Sequence, residues 1–419
     1  MSPSTSAYLQ MLIARCIAMI GPLGIAIITA RMLGPEGQGR YYYVVTLSAI
    51  GAQFASLGIH SSNTYLVAKQ HSLLSPILTN SAYVAIAGGA AGACAAVAFD
   101  LVIENALHLE VSLLFVLVLC PLILLFLYLS NLAVAINRPT LFNGLIILNG
   151  ILSLTAVAAA AYITPAVNTI LGAYAASYLV MCMLSWILVG RGCKITWRFD
   201  RGLFKQGMAF AWRAHVATLV GFFMARTSAV VLRHYGAFGD LGHWSIAAQI
   251  SDALLILPAT ISLLLFPSLV RADVARRWND FKSITLQLGA VMAVLCLGAA
   301  GMGLPLIEVV FGPAYAPTGA IMLALLPGVF FLSITSTVSQ FLSAFGIPLW
   351  QLAIWIVGWA LQVGLSLLLF EKFGVVGMAW VQSGCAAFVC FWLFVMAFGY
   401  APGPGSAASV RPNNDLARQ

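Results

Sequence analysis

The sequence predicts an all-α polytopic membrane protein, with about twelve transmembrane helices in two pseudo-symmetric six-helix lobes around a central cavity. Of its 419 residues, 62% are hydrophobic and 8% are charged, and the mean hydropathy is +0.99. The chain therefore lacks the polar residues that would cover a soluble globule. It also repeats itself, because residues 33–42 (LGPEGQGRYY) are echoed by residues 235–244 (YGAFGDLGHW). Each copy separates two long apolar runs, which predicts two related halves.

Apolar runs long enough to cross a bilayer recur along the whole chain. The predicted spans are residues 8–32, 41–66, 77–99, 111–136, 142–163, 168–190, 207–232, 243–267, 284–310, 318–344, 349–370 and 375–398. We therefore expect an N-terminal lobe at residues 1–190, a cytoplasmic linker at 191–206 and a C-terminal lobe at 207–400. Residues 401–419 are rich in Pro, Gly and Ser, which predicts a disordered cytoplasmic tail.

Positive charge is unevenly distributed between the two sides of this twelve-span arrangement. The side that holds the linker carries Lys69, Arg138, Arg191, Lys194, Arg198, Arg201, Lys205, Arg271, Arg276, Arg277, Lys282, Arg411 and Arg418. The other side carries Arg31, Arg40, Arg233 and Lys372. Because Lys and Arg collect in cytoplasmic loops, we expect a multi-pass protein of the cytoplasmic (inner) membrane with both termini in the cytoplasm.

Several other classes of protein are disfavoured by the sequence. The net charge of +8 is not accompanied by a basic run interleaved with aromatic residues, so no nucleic-acid partner is expected. The eight cysteines lie almost all within apolar runs, without a CxxC pair or a histidine at ligand spacing, so neither a disulfide framework nor a metal site is expected. The sequence contains no Walker loop, HExxH or GxSxG motif, and we expect no cofactor and no enzymatic activity.

Two predicted spans carry a polar stripe along one helical face. The stripe on the second span includes Gln53, His60 and Asn63, and the stripe on the tenth span includes Gln340. Isolated Ser and Thr residues in such stripes commonly hydrogen-bond to neighbouring helices as packing contacts. The hydrogen-bonding groups of Gln, His and Asn are harder to pair away from water. For these four residues, the polar wall of a water-filled cavity is therefore as good an interpretation as a packing contact.

Cationic residues inside the spans give the sharper functional signal. Arg15 lies within the first span, and the seventh span carries Arg213, His215, Arg226 and Arg233. Placing an Arg at the centre of a bilayer costs at least about 2.5 kcal/mol, so such residues commonly have a functional role. An Arg guanidinium makes bidentate hydrogen bonds to phosphate and stays charged. These residues therefore predict a cationic cavity that binds a phosphate or pyrophosphate group.

Structural roles, simpler than phosphate binding, are also consistent with the sequence for several of these cationic residues. Arg213 could snorkel toward the surface, Arg233 could lie at the outer rim, and Arg226 could pair with Asp252. Asp252 and Glu308 are the acids placed inside spans, where each could bind a coupling ion or proton, or neutralise an arginine. A further acidic cluster is expected to form a solvated rim beside a short outer loop and consists of Asp100, Glu104 and Glu110.

Four short motifs resemble those of a known transporter family. They are residues 29–41 (TARMLGPEGQGRY), 54–58 (FASLG), 310–316 (VFGPAYA) and 325–327 (LLP). Over nearly its whole length, the chain resembles the polysaccharide transporters of the multidrug/oligosaccharidyl-lipid/polysaccharide flippase (MOP) superfamily. The resemblance implies that the protein flips an isoprenoid-diphosphate-linked oligosaccharide by alternating access, for surface polysaccharides such as O-antigen or exopolysaccharide. It also implies that cationic cavity residues hold the diphosphate, which agrees with the roles inferred above for Arg15 and Arg226.

One departure from the family pattern bears on energy coupling. Many members carry an Asp shortly after a basic or polar residue in the seventh span, where this chain has Ser228. The alternative functions are a drug or cation extruder of the same superfamily and a membrane polymerase or ligase of polysaccharide assembly. An extruder is expected to place acids in its cavity, and a polymerase needs a long charged outer loop. The expected partners are the lipid-linked oligosaccharide, the membrane and polysaccharide polymerase machinery.

Overall fold

The structure, a computed structural model, describes residues 5–104, 110–193, 197–235, 238–345 and 349–400. These residues are helical almost throughout, and no β-strand occurs among them. The predicted tail at residues 401–419 lies outside the described residues.

The N-terminal lobe begins with an unusually long helix. Its helices are α1 (Thr5–Ala55), α2 (Ile59–Lys69), α3 (Leu74–Tyr83), α4 (Gly89–Glu104), α5 (Leu114–Ala135), α6 (Pro139–Ile163) and α7 (Val167–Val189). α1 contains the first predicted span and most of the second, because the helix continues through a kink at Gly34. The φ of Gly34 is 68°, a left-handed conformation that glycine adopts without steric cost.

The C-terminal lobe repeats this pattern of long, kinked helices. Its helices are α8 (Arg201–His234), α9 (Phe238–Leu254), α10 (Ile256–Arg271), α11 (Val274–Phe311), α12 (Thr318–Ser343) and α13 (Leu349–Phe398). α13 contains the last two predicted spans and kinks at Gly374. α8 begins earlier than the predicted residue 207, because the Asp200 carboxylate accepts a hydrogen bond from the Leu203 amide at 3.0 Å and caps the helix.

The helices account for all twelve predicted spans. Nine segments of the described residues are long and apolar enough to cross a membrane. Two of these segments, Arg15–Ala55 and Leu349–Phe398, each cover two predicted spans, and α8 provides the span that remains. α8 is less apolar than the others because it carries several arginines. The predicted fold class, a helical multi-pass bundle in two lobes, is confirmed.

The two lobes share a core at one end of the bundle and separate toward the other. We call the end that carries residues 191–200 the linker end, and the opposite end, which carries the kink in α1, the distal end. One buried cluster at the distal end joins Ala30 of the N-terminal lobe to Leu241 of the C-terminal lobe. Toward the linker end each lobe has its own core, around Leu129 in one and Phe341 in the other. The lobes therefore meet most tightly at the distal end.

The two copies of the repeated motif face each other across this distal contact. α1 and α9 pack so closely that a Cβ atom on Gly39 would overlap the carbonyl oxygen of Phe238. A Cβ atom on Gly242 would likewise overlap the carbonyl oxygen of Pro35. Glycine is required at both positions because any side chain would hold the two backbones apart. The repeat that revealed the duplication therefore also forms the contact between the duplicated halves.

Candidate functional site

A cavity of about 360 Å³ lies between the two lobes. Its C-terminal wall is formed by Arg226 on α8 and by Gln249 and Asp252 on α9. Its N-terminal wall comes from α1, α6 and α7 and includes Tyr41, Tyr42, Thr46, Asn149, Ser153, Tyr174 and Tyr178. A second cavity of about 280 Å³ lies within the C-terminal lobe and also contains Arg226 and Asp252. These two residues therefore border both cavities.

Arg226 connects the two walls of the inter-lobe cavity. Its Nη1 donates a hydrogen bond to the hydroxyl of Tyr42 at 3.2 Å, and its Nη2 lies 3.5 Å from Asp252 Oδ2. The Arg226 side chain is 27% exposed and that of Asp252 is 44% exposed. The ion pair is thus open to the cavity, and an anion entering the cavity can reach the guanidinium. The structure joins Arg226 to Asp252, as in the simplest role considered for Arg226.

Four tyrosines in the N-terminal wall were missed by the sequence analysis. The rings of Tyr41 and Tyr174 pack edge to face with centroids 6.0 Å apart, and those of Tyr174 and Tyr178 lie 5.1 Å apart. Two signals in the sequence could have revealed them. Tyr41 and Tyr42 are the last two residues of the repeated motif, and Tyr174 and Tyr178 are one helical turn apart. Together they give the cavity an aromatic wall with polar hydroxyl tips.

Arg15 also reaches from one lobe to the other. Its Nη1 donates a hydrogen bond to Thr260 Oγ1 on α10 at 3.3 Å, and the side chain is part-buried. No carboxylate within the described ranges forms an ion pair with Arg15. The side chain of Arg213, on the following lobe's first helix, lies outside the described residues.

The histidines predicted for the cavity lie instead at a contact between α2 and α8. His215 is buried there, and a Cβ atom on Gly58 would come within 2.9 Å of the His215 Cβ. His60 lies on α2, the helix that packs against α8. This contact joins the lobes on the linker side of the cavity, where their cores are otherwise separate.

The other three stripe residues named above, Gln53, Asn63 and Gln340, line neither of the two cavities. Asn63 is buried and donates from Nδ2 to Ser81 Oγ at 2.9 Å, which packs α2 against α3. Gln53 and Gln340 are half-buried. In this structure Asn63 therefore has the packing role that was the simpler interpretation of the stripes.

Arg233 lies in a buried ion pair with Asp100 and not at an outer rim. Its Nε is 3.1 Å from Asp100 Oδ1, and its Nη2 is 3.5 Å from Oδ2. Tyr43 donates its hydroxyl proton to the same Oδ1 at 2.6 Å. The side chains of Arg233 and Asp100 are 2% and 0% exposed. The predicted solvated rim is therefore wrong for Asp100, because α4 carries it into the lobe contact, where α8 supplies the compensating charge.

Further hydrogen bonds cross between the lobes at the distal end. Arg31 on α1 donates from Nε to the carbonyl oxygen of Val310 at 2.7 Å and from Nη2 to that of Val309. These carbonyl groups belong to the last turn of α11, which lacks helical partners for them. Gln38 Nε2 donates to Ser245 Oγ at 3.0 Å, and both side chains are buried. The distal end is therefore closed by polar contacts as well as by close packing.

Two of the acids considered in the sequence analysis lie at the distal end and are accessible to solvent. Glu110 is half-buried and accepts from Arg40 Nη1 at 3.1 Å. Glu308, the second candidate for ion coupling, is exposed on α11 and lines neither described cavity. Among the acids predicted to lie inside spans, Asp252 is the one that the structure places at a cavity.

Solved structures with the same fold are transporters. One is an inward-facing conformation of a multidrug resistance MATE family transporter of the MOP superfamily, with 12% identity, 91% of this chain and 95% of that chain covered, and a TM-score of 0.71. Another is the Lipid II flippase MurJ in an inward closed conformation, with 14% identity, coverages of 92% and 87%, and a TM-score of 0.70. An outward-facing MATE structure matches with 12% identity, coverages of 94% and 95%, and a TM-score of 0.61.

These likenesses concern the fold. No curated protein matches the chain. Residues 8–273 match the family described as "Polysaccharide biosynthesis protein". Because this match covers more than half of the chain, the protein belongs to the polysaccharide biosynthesis protein family, with the two-lobed fold of the MOP superfamily.

Proposed function

We propose that the protein is a flippase that moves an isoprenoid-diphosphate-linked oligosaccharide across the cytoplasmic membrane by alternating access, for the synthesis of a surface polysaccharide. The observation that carries this proposal is the position of Arg226. Its guanidinium is partly exposed in the wall of the cavity between the lobes and is bonded to a side chain of each lobe. The polysaccharide biosynthesis family and the transporter fold support the same substrate class.

The diphosphate binds at Arg226 in this proposal. A diphosphate offers several anionic oxygens, and the planar guanidinium can bind two of them at once. The carboxylate of Asp252 lies 3.5 Å from the guanidinium, and its exposure lets an entering anion replace it. Arg15, which has no carboxylate partner in the described part of the chain, provides a second positive charge between the lobes.

The sugars bind against the tyrosine wall. Tyr41, Tyr174 and Tyr178 present aromatic surface with hydroxyl tips, and Asn149 and Gln249 add amide groups that can both donate and accept hydrogen bonds. Such a surface suits a ring that has an apolar face and many hydroxyl groups. The cavity is thus divided into a cationic side in the C-terminal lobe and an aromatic side in the N-terminal lobe.

The proposed direction of transport follows from the predicted orientation. With both termini and the linker in the cytoplasm, the closed distal end faces outward and the substrate enters from the cytoplasmic side. The protein performs no chemistry on its substrate in this scheme. A polysaccharide polymerase uses the flipped product on the outer side.

Transport by Arg226 variants tests the proposal. Proteoliposomes containing the purified protein are supplied with a fluorescent isoprenoid-diphosphate-linked saccharide, and its movement between leaflets is measured. Loss of a charge-assisted hydrogen bond costs about 1.5–3 kcal/mol, so we expect Arg226→Ala to slow flipping about 10- to 100-fold. Arg226→Lys is expected to restore part of the rate, because Lys keeps the charge but loses the planar fork.

Arg276→Ala is the matched control. Arg276 is exposed on α11 near the linker end, outside the cavity, so its removal is expected to leave the rate unchanged. Thermal unfolding in detergent establishes that each variant is folded. Flipping at the wild-type rate by a folded Arg226→Ala variant would reject the proposal. Transport of cationic drugs by the wild type, with no flipping of the lipid-linked saccharide, would favour the extruder.

A further inference from the structure

A third cavity lies at the linker end of the N-terminal lobe and shares no lining residue with the transport cavity. Its volume is about 340 Å³. The basic side chains at its surface are His71, Arg138 and Arg191, and Ser72 and Ser75 contribute hydroxyl groups. No carboxylate from the described part of the chain lines it. Three basic groups thus surround one cavity without an acid to neutralise them.

The surrounding helices hold these groups together. His71 opens a short 3-10 helix before α3, Arg138 directly precedes Pro139 at the start of α6, and Arg191 lies in the turn after α7. Both arginine side chains are exposed and form no ion pair with a described residue. Three separate chain segments therefore bring two arginine side chains and a histidine side chain to the same place.

The chemistry of the cavity fits a phosphate group. Guanidinium groups bind phosphate oxygens in bidentate fashion, and serine hydroxyls can donate to the same oxygens. The cavity exceeds by about tenfold the roughly 30 Å³ that one water molecule occupies in the liquid. It can therefore hold a phosphate group together with bridging waters.

The location indicates where such a phosphate comes from. α5 and α7 end at this cavity and α6 begins there, and all three are segments apolar enough to span a membrane. The ends of such helices lie at the level of the lipid headgroups. Basic pockets between transmembrane helices at this level are suited to anionic headgroups. Free phosphate offers the same chemistry but lacks the acyl chains that would place it at the membrane surface.

We propose that the cavity between His71, Arg138 and Arg191 binds a phosphate group, supplied by the headgroup of an anionic membrane lipid. The site is independent of the transport cavity, so it stands whether or not the protein is a flippase. Occupation of the site would neutralise the excess positive charge and attach the linker end of the N-terminal lobe to the leaflet around it.

Lipid binding to the full-length protein in detergent tests this proposal by native mass spectrometry. The probes are phosphatidylglycerol and a diacylglycerol with the same acyl chains, which lacks the phosphate. We expect the wild type to bind phosphatidylglycerol in preference to diacylglycerol. Each single variant, Arg138→Gln or Arg191→Gln, is expected to weaken phosphatidylglycerol binding, and the double variant to weaken it by about tenfold or more. Lys205→Gln, which removes an exposed charge near the same end outside the cavity, is expected to bind as the wild type does.

Two results with the lipid probes would overturn the inference. One is equal binding of phosphatidylglycerol by the wild type and the Arg138→Gln/Arg191→Gln variant. The other is equal binding of phosphatidylglycerol and diacylglycerol by the wild type. Binding of inorganic phosphate is tested separately, by its effect on the thermal unfolding temperature of the wild type. Stabilisation by inorganic phosphate without any retained phosphatidylglycerol would reject a lipid as the source.

Discussion

The buried ion pair between Arg233 and Asp100 is expected to hold the distal end closed. Both side chains are almost completely buried, and Tyr43 adds a hydrogen bond to the carboxylate. Removing one partner of such a pair leaves a buried charge uncompensated, which costs about 3–5 kcal/mol. We therefore expect Asp100→Asn to destabilise the closed arrangement by about this amount. The double variant Asp100→Asn with Arg233→Gln is expected to recover much of the loss, because no charge then remains buried.

The Asp100→Asn change can shift either of two equilibria, global unfolding or opening of the lobes at the distal end, and separate measurements distinguish them. If the whole protein loses stability, the thermal unfolding temperature falls. If the lobes can part at the distal end, a penalty of 3–5 kcal/mol changes the ratio of closed to open molecules by about two to four powers of ten. Gln38 is buried in the distal contact and 1% exposed. A cysteine at position 38, in a background without the native cysteines, then reacts with a water-soluble maleimide faster in Asp100→Asn.

Glu110 provides the control for this experiment. It pairs with Arg40 at the same end, but the two side chains are 34% and 37% exposed. Exposed pairs contribute about 0–1 kcal/mol, so Glu110→Gln is expected to change neither measurement appreciably. The reasoning is refuted if Asp100→Asn leaves both the unfolding temperature and the reactivity at position 38 unchanged.

Three further predictions concern the lobe contact, the orientation and the acid at the cavity. Gly39→Ala places a methyl group against the opposing backbone and is expected to reduce transport and thermal stability, whereas Gly144→Ala has open space and should leave both unchanged. Reporters fused after Arg198 and near Asp240 should lie on opposite sides of the membrane, and finding them on the same side would contradict the twelve-span arrangement. Asp252→Asn is expected to keep the dependence of transport on an ion gradient, because Asp252 neutralises Arg226; loss of that dependence with substrate binding intact would show coupling.

The fold could be predicted from the sequence because the bilayer restricts the composition and the length of every helix that crosses it. Apolar runs located all twelve spans, and the repeated motif revealed the two halves. The kinks at Gly34 and Gly374 were not anticipated, since α1 and α13 remain helical through segments expected to be loops. Hydropathy reports which residues avoid water, but it does not report whether a short connection is helical.

The candidate site was predicted less completely, because pairing between distant helices is not encoded in local spacing. Arg226 and Asp252 were recognised as an ion pair candidate, and both lie at the cavity. Arg233 shares a helical face with Arg226, yet its partner, Asp100, comes from a helix of the other lobe. Periodicity places a residue on a face of its own helix. Which helix packs against that face depends on the tertiary arrangement.

The meeting of the repeated motif with its own copy has a bearing on the history of the chain. A six-helix ancestor that paired with itself about a twofold axis would have used one surface twice, so that the segment now represented by residues 33–42 and 235–244 met its own copy. Any substitution in that ancestor altered both partners together. Fusion into one chain removed this constraint, and each half could then change alone. One half now lines the cavity with an arginine and an acid, and the other half lines it with tyrosines. A symmetric dimer could not have carried different side chains on its two halves in this way.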